Sequence, residues 1–270
     1  MRKCSRLYCA GLQGSMVYIY LVYLRRKMEI ITSKEKIRQI LASIIPQYDN
    51  SDHTAFINLI EKKLLEKKIK FPLLEFTAKE LYNHIPEKEH INLTDEIIQK
   101  QQIGGNVIAG IILQLRLNNH FKESLQKAGQ YIIAGDKWYV CDIIGERVMG
   151  HALLTQPLLT IPELKKMAAH TNSGMVRTAG VAGHYAVKNG LQKEHVNKLF
   201  SLLLSCSHTT DFHARKGIGW AVKTVTKFHP DIVDLYKEKI ENDDAIKQWF
   251  KTKIKMGMGL SHKYAAKYSG

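Results

Sequence analysis

Residues 211–228 read DFHARKGIGWAVKTVTKF, and their spacing decides the fold. Ile218, Val222 and Val225 form an apolar stripe at helical spacing, while Lys216, Trp220, Lys223 and Lys227 fall at i, i+4, i+7 and i+11 on the opposite face. Two earlier stretches share this two-faced pattern. In residues 137–153, KWYVCDIIGERVMGHAL, Trp138 and Asp142 stand one turn apart on one side, with Cys141, Ile144 and Val148 toward the core. In residues 174–189, GMVRTAGVAGHYAVKN, the small residues Ala179, Ala182 and Ala186 form the packing stripe, opposite Arg177, His184 and Lys188. The three stretches begin about 37 residues apart, near the length of a two-helix HEAT or armadillo repeat. Each is paired with a strongly apolar helix. The spacing therefore predicts an all-α chain, a HEAT-like or armadillo-type helical-repeat solenoid whose inner helices line a concave face suited to a long ligand.

The rest of the chain reads the same way. Thr32-Ser33-Lys34-Glu35 is a capping box that opens the stripe Ile37, Ile40, Leu41, Ile44 and Ile45, which stops before Pro46. Further helices are expected over 54–68, 72–84, 94–102, 106–117, 120–134, 162–171, 193–206, 230–241, 243–253 and 261–268. Their connections are short and polar, as at Asn118-Asn119 and Asn172-Ser173-Gly174, and no stretch alternates at period two long enough to propose a sheet. Residues 29–270 are thus expected to form a single α-solenoid domain. Residues 1–28 read instead as a non-native or disordered extension. They hold six basic residues and no acid, and their apolar run Met16–Leu24 is nine residues, about half of the ~20 that a spanning helix needs. Arg25-Arg26-Lys27 stands where a signal peptide would have its small-residue cleavage site. Met28 is the expected translation start, and the protein is expected to be cytoplasmic and not membrane-bound.

Composition narrows the partners. Hydrophobic residues make up 45% and charged residues 24%, which excludes a wholly disordered chain. Four cysteines, at 4, 9, 141 and 206, are too scattered for a disulfide scaffold. With no Cys-x-x-Cys or His/Cys cluster, no metal is expected. The 40 Lys and Arg residues against 25 Asp and Glu give a net charge of +15. Without residues 1–28 the balance is 34 against 25, still +9. Such an excess points to a polyanion, nucleic acid before anionic membrane.

Taken singly, the polar-face residues have ordinary readings. Trp220 can be a rim residue under lysine stems. Asp142 can cap the helix or pair with Arg147. Arg177 can be a solvated helix residue, and His184 alone carries neither a metal nor a catalytic role. Taken together they are more specific. Two indoles, a carboxylate and a guanidinium come from successive inner helices with lysines around them, and stacking surfaces among phosphate-seeking cations describe a nucleic-acid site.

At these residues the chain resembles the AlkC/AlkD family of HEAT-repeat DNA glycosylases. The matching segments are Trp138-Tyr139-Val140-Cys141-Asp142 (family W-x-x-x-D), the Arg177 helix, and Lys216-Gly217-Ile218-Gly219-Trp220-Ala221-Val222-Lys223 (family K-x-x-G-W-x-x-R/K). The resemblance covers about residues 95–268. It departs at Arg177-Thr178, where the family often has paired basic residues, and at Lys223, where it often has Arg. It implies a monofunctional glycosylase that excises cationic N3- or N7-alkylated purines from double-stranded DNA by C1′–N9 hydrolysis. It also implies that the base stays largely stacked and is read from the sugar-phosphate side. Trp138 and Trp220 would be the aromatic walls beside the lesion, Asp142 the carboxylate next to the sugar, and Arg177 a phosphate contact. Lys216, Lys223, Lys227, His184 and Lys188 would complete the DNA-binding face. No cofactor is expected, and the protein is expected to act as a monomer. The alternative is a non-catalytic HEAT-like module that binds DNA or a protein partner.

Overall fold

The computed structural model describes residues 29–49 and 52–268; the expectation for residues 1–28 falls outside them. The first helix, α1 (Lys34–Ile44), is capped by Ser33, whose hydroxyl accepts from the Lys36 N–H at 3.2 Å. The cap lies one residue later than the predicted box requires, so Glu35 lies in the first turn and complements the helix dipole instead of closing the box. There follow α2 (Thr54–Ile60), α3 (Phe71–His84), α4 (His90–Gln99), α5 (Ile103–Arg116) and α6 (Phe121–Gly135). Next come α7 (Trp138–Ile144), α8 (His151–Thr155), α9 (Pro157–Ala168), α10 (Ser173–Lys188) and α11 (Lys193–Ser205). The chain closes with α12 (Phe212–Phe228), α13 (Pro230–Asp234), α14 (Lys237–Asn242) and α15 (Gln248–Tyr268).

Four features differ from the periodicity, the first being that the helix expected at 230–241 is broken at Leu235–Tyr236 into α13 and α14. The turn Gly145–Gly150 between α7 and α8 is π-helical, as is Glu61–Leu65 after α2; a single π turn adds one residue to an otherwise α-helical run, and a regular 3.6 period does not anticipate it. Ile30–Ile31 (β1) and Lys68–Ile69 (β2) pair in parallel, a two-residue ladder too short to show an alternation. The helices expected at 243–253 and 261–268 are one helix, α15, because Gly257 packs onto α12 instead of breaking the chain.

The architecture is an all-α helical repeat. Helices α7, α10, α12 and α15 begin at residues 138, 173, 212 and 248, and the chain passes from each of the first three to the next through outer helices. Their glycines show that they lie side by side and parallel. Gly145 faces Thr178 and Val181, Gly180 faces Gly217, Gly183 faces Ala221, and Gly257 faces Thr226. Polar bonds also recur at one-repeat separation. Tyr131 donates to Asp95, 36 residues away, Arg177 to Asp142, 35 away, and Tyr236 to Asn197, 39 away. The Trp249 indole donates to the Thr209 carbonyl, 40 residues away. Two apolar clusters fill the interior, one from Ile31 to Ile143 and one from Ala109 to Phe250, and they meet at α5 and α7.

The closest approach is between α10 and α12. A Cβ on Gly217 would lie 2.2 Å from the Arg177 carbonyl oxygen, and one on Gly180 would lie 2.2 Å from the Gly217 carbonyl carbon. Backbone, unlike a side chain, has nowhere to go. Gly217→Ala is therefore expected to destabilise the protein by about 3 kcal/mol or more in urea unfolding. Gly259, with nothing within 4 Å of its would-be Cβ, is the control; Gly259→Ala should be neutral or stabilising by up to about 1 kcal/mol.

Candidate nucleic-acid interface

Trp138 opens α7 directly after Asp136, whose left-handed backbone (φ 41°) ends α6. The sharp turn leaves the indole 57% exposed. Asp142 follows one turn later on the same side, as predicted, while Cys141, Ile144 and Val148 are buried. From α10, Arg177 meets Asp142 in a fork: Nε donates to Oδ1 and Nη2 to Oδ2, each at 2.8 Å. The third nitrogen, Nη1, makes only a long 3.4 Å contact to the His213 carbonyl. The guanidinium carbon lies 6.0 Å from the Trp138 ring centroid and 5.5 Å from that of Trp220. Charge, carboxylate and both indoles thus form one cluster drawn from α7, α10 and α12.

This arrangement corrects two readings. Arg177 is not on a solvated face; it is 4% exposed, with α7 on one side and α12 on the other. Asp142 does not pair with Arg147 either. Arg147 is buried in the π turn, where Nη2 donates to Glu75 Oε1 on α3 at 2.6 Å.

Around the cluster, His184 is half-buried on α10, its Nδ1 2.7 Å from the Thr224 hydroxyl and its ring 5.8 Å from Trp220. Burial holds this imidazole below its ordinary pKa, helped by Lys188 and Lys223 and opposed by Asp142. Lys216 is exposed over the ring of Phe212 at 5.2 Å, and Lys223 is half-buried. Neither lysine forms a salt bridge with an acid among the described residues, and the same holds for Lys188. Lys227 lies at the far end of α12 over Phe228, 4.5 Å from its ring centroid, away from the indole cluster.

Two participants were not singled out from sequence, and a third, Lys253, belongs to the C-terminal lysines that the sequence offers to the positive field. Thr224 orients His184. Phe212, 62% exposed, puts a third aromatic ring at the start of α12. Lys253 reaches over from α15 because Gly219 leaves room for its stem; burial, then Lys223, Lys216 and Arg215, hold its ammonium below the ordinary value. Of the first two, Phe212 left a signal in the sequence, an aromatic on the polar side of an otherwise well-patterned helix.

Beside the ion pair lies a cavity of about 70 Å³, lined by Trp138, Cys141, Asn172, Arg177 and His213 among others. That volume suits a water or two, whereas pockets that enclose a ligand run to about 300 Å³ and more. Burial pushes the Cys141 thiol up, so it is no nucleophile here. Among the described residues no group of three His, Cys, Asp or Glu side chains is arranged to hold a metal. No helix among them is long and apolar enough to cross a membrane.

A sequence model of the family described as DNA alkylation repair enzyme matches residues 68–268. Neither the curated proteins nor the solved structures gave a match.

A buried guanidinium without its carboxylate keeps its desolvation cost. Asp142→Ala and Arg177→Ala are each expected to destabilise by about 3 kcal/mol. In a double-mutant cycle the pair should show a coupling of about 2 kcal/mol, the double variant losing less than the sum; simple additivity would show the fork to be energetically idle.

Proposed function

The chain belongs to the DNA alkylation repair enzyme family, and from that membership we propose that it is a monofunctional DNA glycosylase that removes cationic N3- and N7-alkylated purines from duplex DNA. The observation that carries the reading is the Asp142 carboxylate, fixed by Arg177 beside two indoles on a helix row that also carries Lys188, Lys216 and Lys223.

Alkylation at N3 or N7 places a positive charge on the purine, which makes it a good leaving group without an acid. The C1′–N9 bond breaks with its electron pair on the base, which departs neutral and alkylated, and the sugar passes through an oxocarbenium-like state. Asp142 faces that cation and stabilises it, and its oxygens orient the water whose oxygen bonds to C1′. The faces of Trp138 and Trp220 attract the cationic base and sugar, at about 0.5–2 kcal/mol each. Arg177 spends Nε and Nη2 on Asp142 but holds Nη1 only loosely, so Nη1 is the one donor it has left for a phosphate while the carboxylate stays bound. The small size of the neighbouring cavity supports readout from the sugar-phosphate side, with the base left in the stack. Lys188, Lys216, Lys223 and Lys253 supply phosphate contacts.

The fork itself favours one other reading, a non-catalytic helical-repeat module in which Asp142 is a strut for Arg177. Release of free 7-methylguanine from alkylated duplex separates the two. Asp142→Asn should lower that release by roughly 10²–10³, the scale of one aimed electrostatic group, while duplex affinity holds or rises slightly. Equal loss of affinity and rate would favour the strut. Trp138→Ala and Trp220→Ala should lower both. No release by the native chain would refute the glycosylase.

Binding gives an independent check. Each of Lys216→Ala, Lys223→Ala and Arg177→Ala should flatten the slope of log affinity against log salt by about 0.9, one phosphate each. An unchanged slope in all three would mean that DNA lies elsewhere.

A further inference from the structure

We infer that His184 is a proton-linked phosphate ligand: its Nε2 binds a backbone phosphate of duplex DNA and takes up a proton in doing so. The inference rests on the DNA reading above.

The Thr224 hydroxyl fixes the tautomer. Its oxygen lies 2.9 Å from the Trp220 carbonyl, which has no proton to offer, so Thr224 donates there. That spends its one proton. Toward His184 Nδ1, 2.7 Å away, the same oxygen accepts, and Nδ1 carries the hydrogen. Nε2 is left with a lone pair, and it has no hydrogen-bond partner among the described residues. Thr224 is 5% exposed, and the ring lies tilted against Trp220 at 5.8 Å, so the imidazole is anchored from one side with its other nitrogen outward.

Three charged groups act on this ring from the helices around it: Lys188 on α10 itself, Lys223 on α12, and Asp142 on α7. In the free protein, burial and the two lysines outweigh Asp142 and keep Nε2 unprotonated. A neutral Nε2 turns a lone pair toward a phosphate oxygen and repels it. A protonated one donates a charge-assisted hydrogen bond. A phosphate placed against Lys188 and Lys223 neutralises the two groups that oppose protonation and adds a negative charge of its own. Protonation leaves Nδ1–H on Thr224, so the ring need not move. The sign follows. The affinity of His184 for protons is higher in the complex than in the free protein, so DNA affinity rises as pH falls through the bound-state value. It levels off below the free-state value, which lies under the ordinary 6.5 of histidine.

The test uses the native chain and an unmodified duplex at constant salt. His184→Asn places an amide donor near the Nδ1 position toward Thr224 but does not titrate; His184→Gln is a second non-titrating variant. Between about pH 8 and about pH 5.5, native affinity by fluorescence anisotropy should rise about tenfold more than that of either variant, the equivalent of one unit of linkage. Calorimetric binding in buffers of different ionisation heat should show proton uptake by the native chain that His184→Asn lacks. Identical pH profiles for native and variant chains, or duplex binding without proton uptake by the native chain, would overturn the inference and leave the DNA reading intact. Should the variants fail to fold, the native calorimetry decides alone. Absence of duplex binding by the native chain at every pH would overturn both.

Discussion

The contact between Gly180 and Gly217 sets the geometry on which everything else on the inner row depends. No other residue permits it, since a single added carbon at Gly217 meets the carbonyl of Arg177 at 2.2 Å. Because α10 and α12 touch through their backbones, Arg177 and Trp220 are drawn together near the joint. The guanidinium lies 5.5 Å from that indole and is simultaneously within a fork of Asp142 on α7. An ordinary interhelical spacing of 8–10 Å between axes, set by side chains rather than by glycine, would leave the arginine able to reach one neighbour only. The same device recurs on either side, at Gly145 against α10 and at Gly257 against α12.

Burial of the arginine has an energetic consequence. An ion removed from water costs several kcal/mol, and only good geometry with every donor engaged offsets it. Arg177 meets that condition in part: two nitrogens are on Asp142 at 2.8 Å, and two indole rings lie 5.5 and 6.0 Å from the guanidinium carbon, while Nη1 has a weak acceptor. The planar fork also fixes the carboxylate plane, which a lysine in the same place would leave free to rotate. Asp142 is therefore oriented before any ligand arrives, the preorganisation that electrostatic stabilisation of a transient cation requires.

Much of this was legible in sequence. Helix starts expected at 137, 174 and 211 lie at 138, 173 and 212, and the stripes of Ile144, Val148, Ile218 and Val222 are buried as their spacing demands. The polar side of α10 was the exception. A helix amphipathic on paper is assumed to have one wet face, but a helix in the middle of a parallel row has neighbours on two sides as well as behind. Every residue from Arg177 to Gly183 is buried, and the period carries no sign of it. The partner of Asp142 lies 35 residues on, one repeat away. Arg147 was a candidate partner because it is near in sequence; in a repeat fold, near in space means one repeat along. Lys253 joined the cluster for the same reason, through a vacancy left by Gly219 one helix away.

A carboxylate amid so many cations is less anomalous once its pairing is considered. Several lysines elsewhere are spent internally: Lys100 on Glu61, Lys127 on Asp95 and Lys198 on Glu194. Lys188, Lys216, Lys223 and Lys253 have no such partner among the described residues, so the field of the inner row is theirs. Seen from a Debye length, about 8–10 Å, Asp142 and Arg177 cancel, and an approaching polyanion meets only the lysines. At contact distance the cancellation is incomplete, because a cation touching one carboxylate oxygen is nearer to it than to the guanidinium carbon. An acid held this way subtracts nothing from the attraction of the phosphate backbone while keeping its full charge for a cation formed beside it. That is why, on the proposed reading, the row tolerates an aspartate at the one point where a neutral residue would bind DNA equally well.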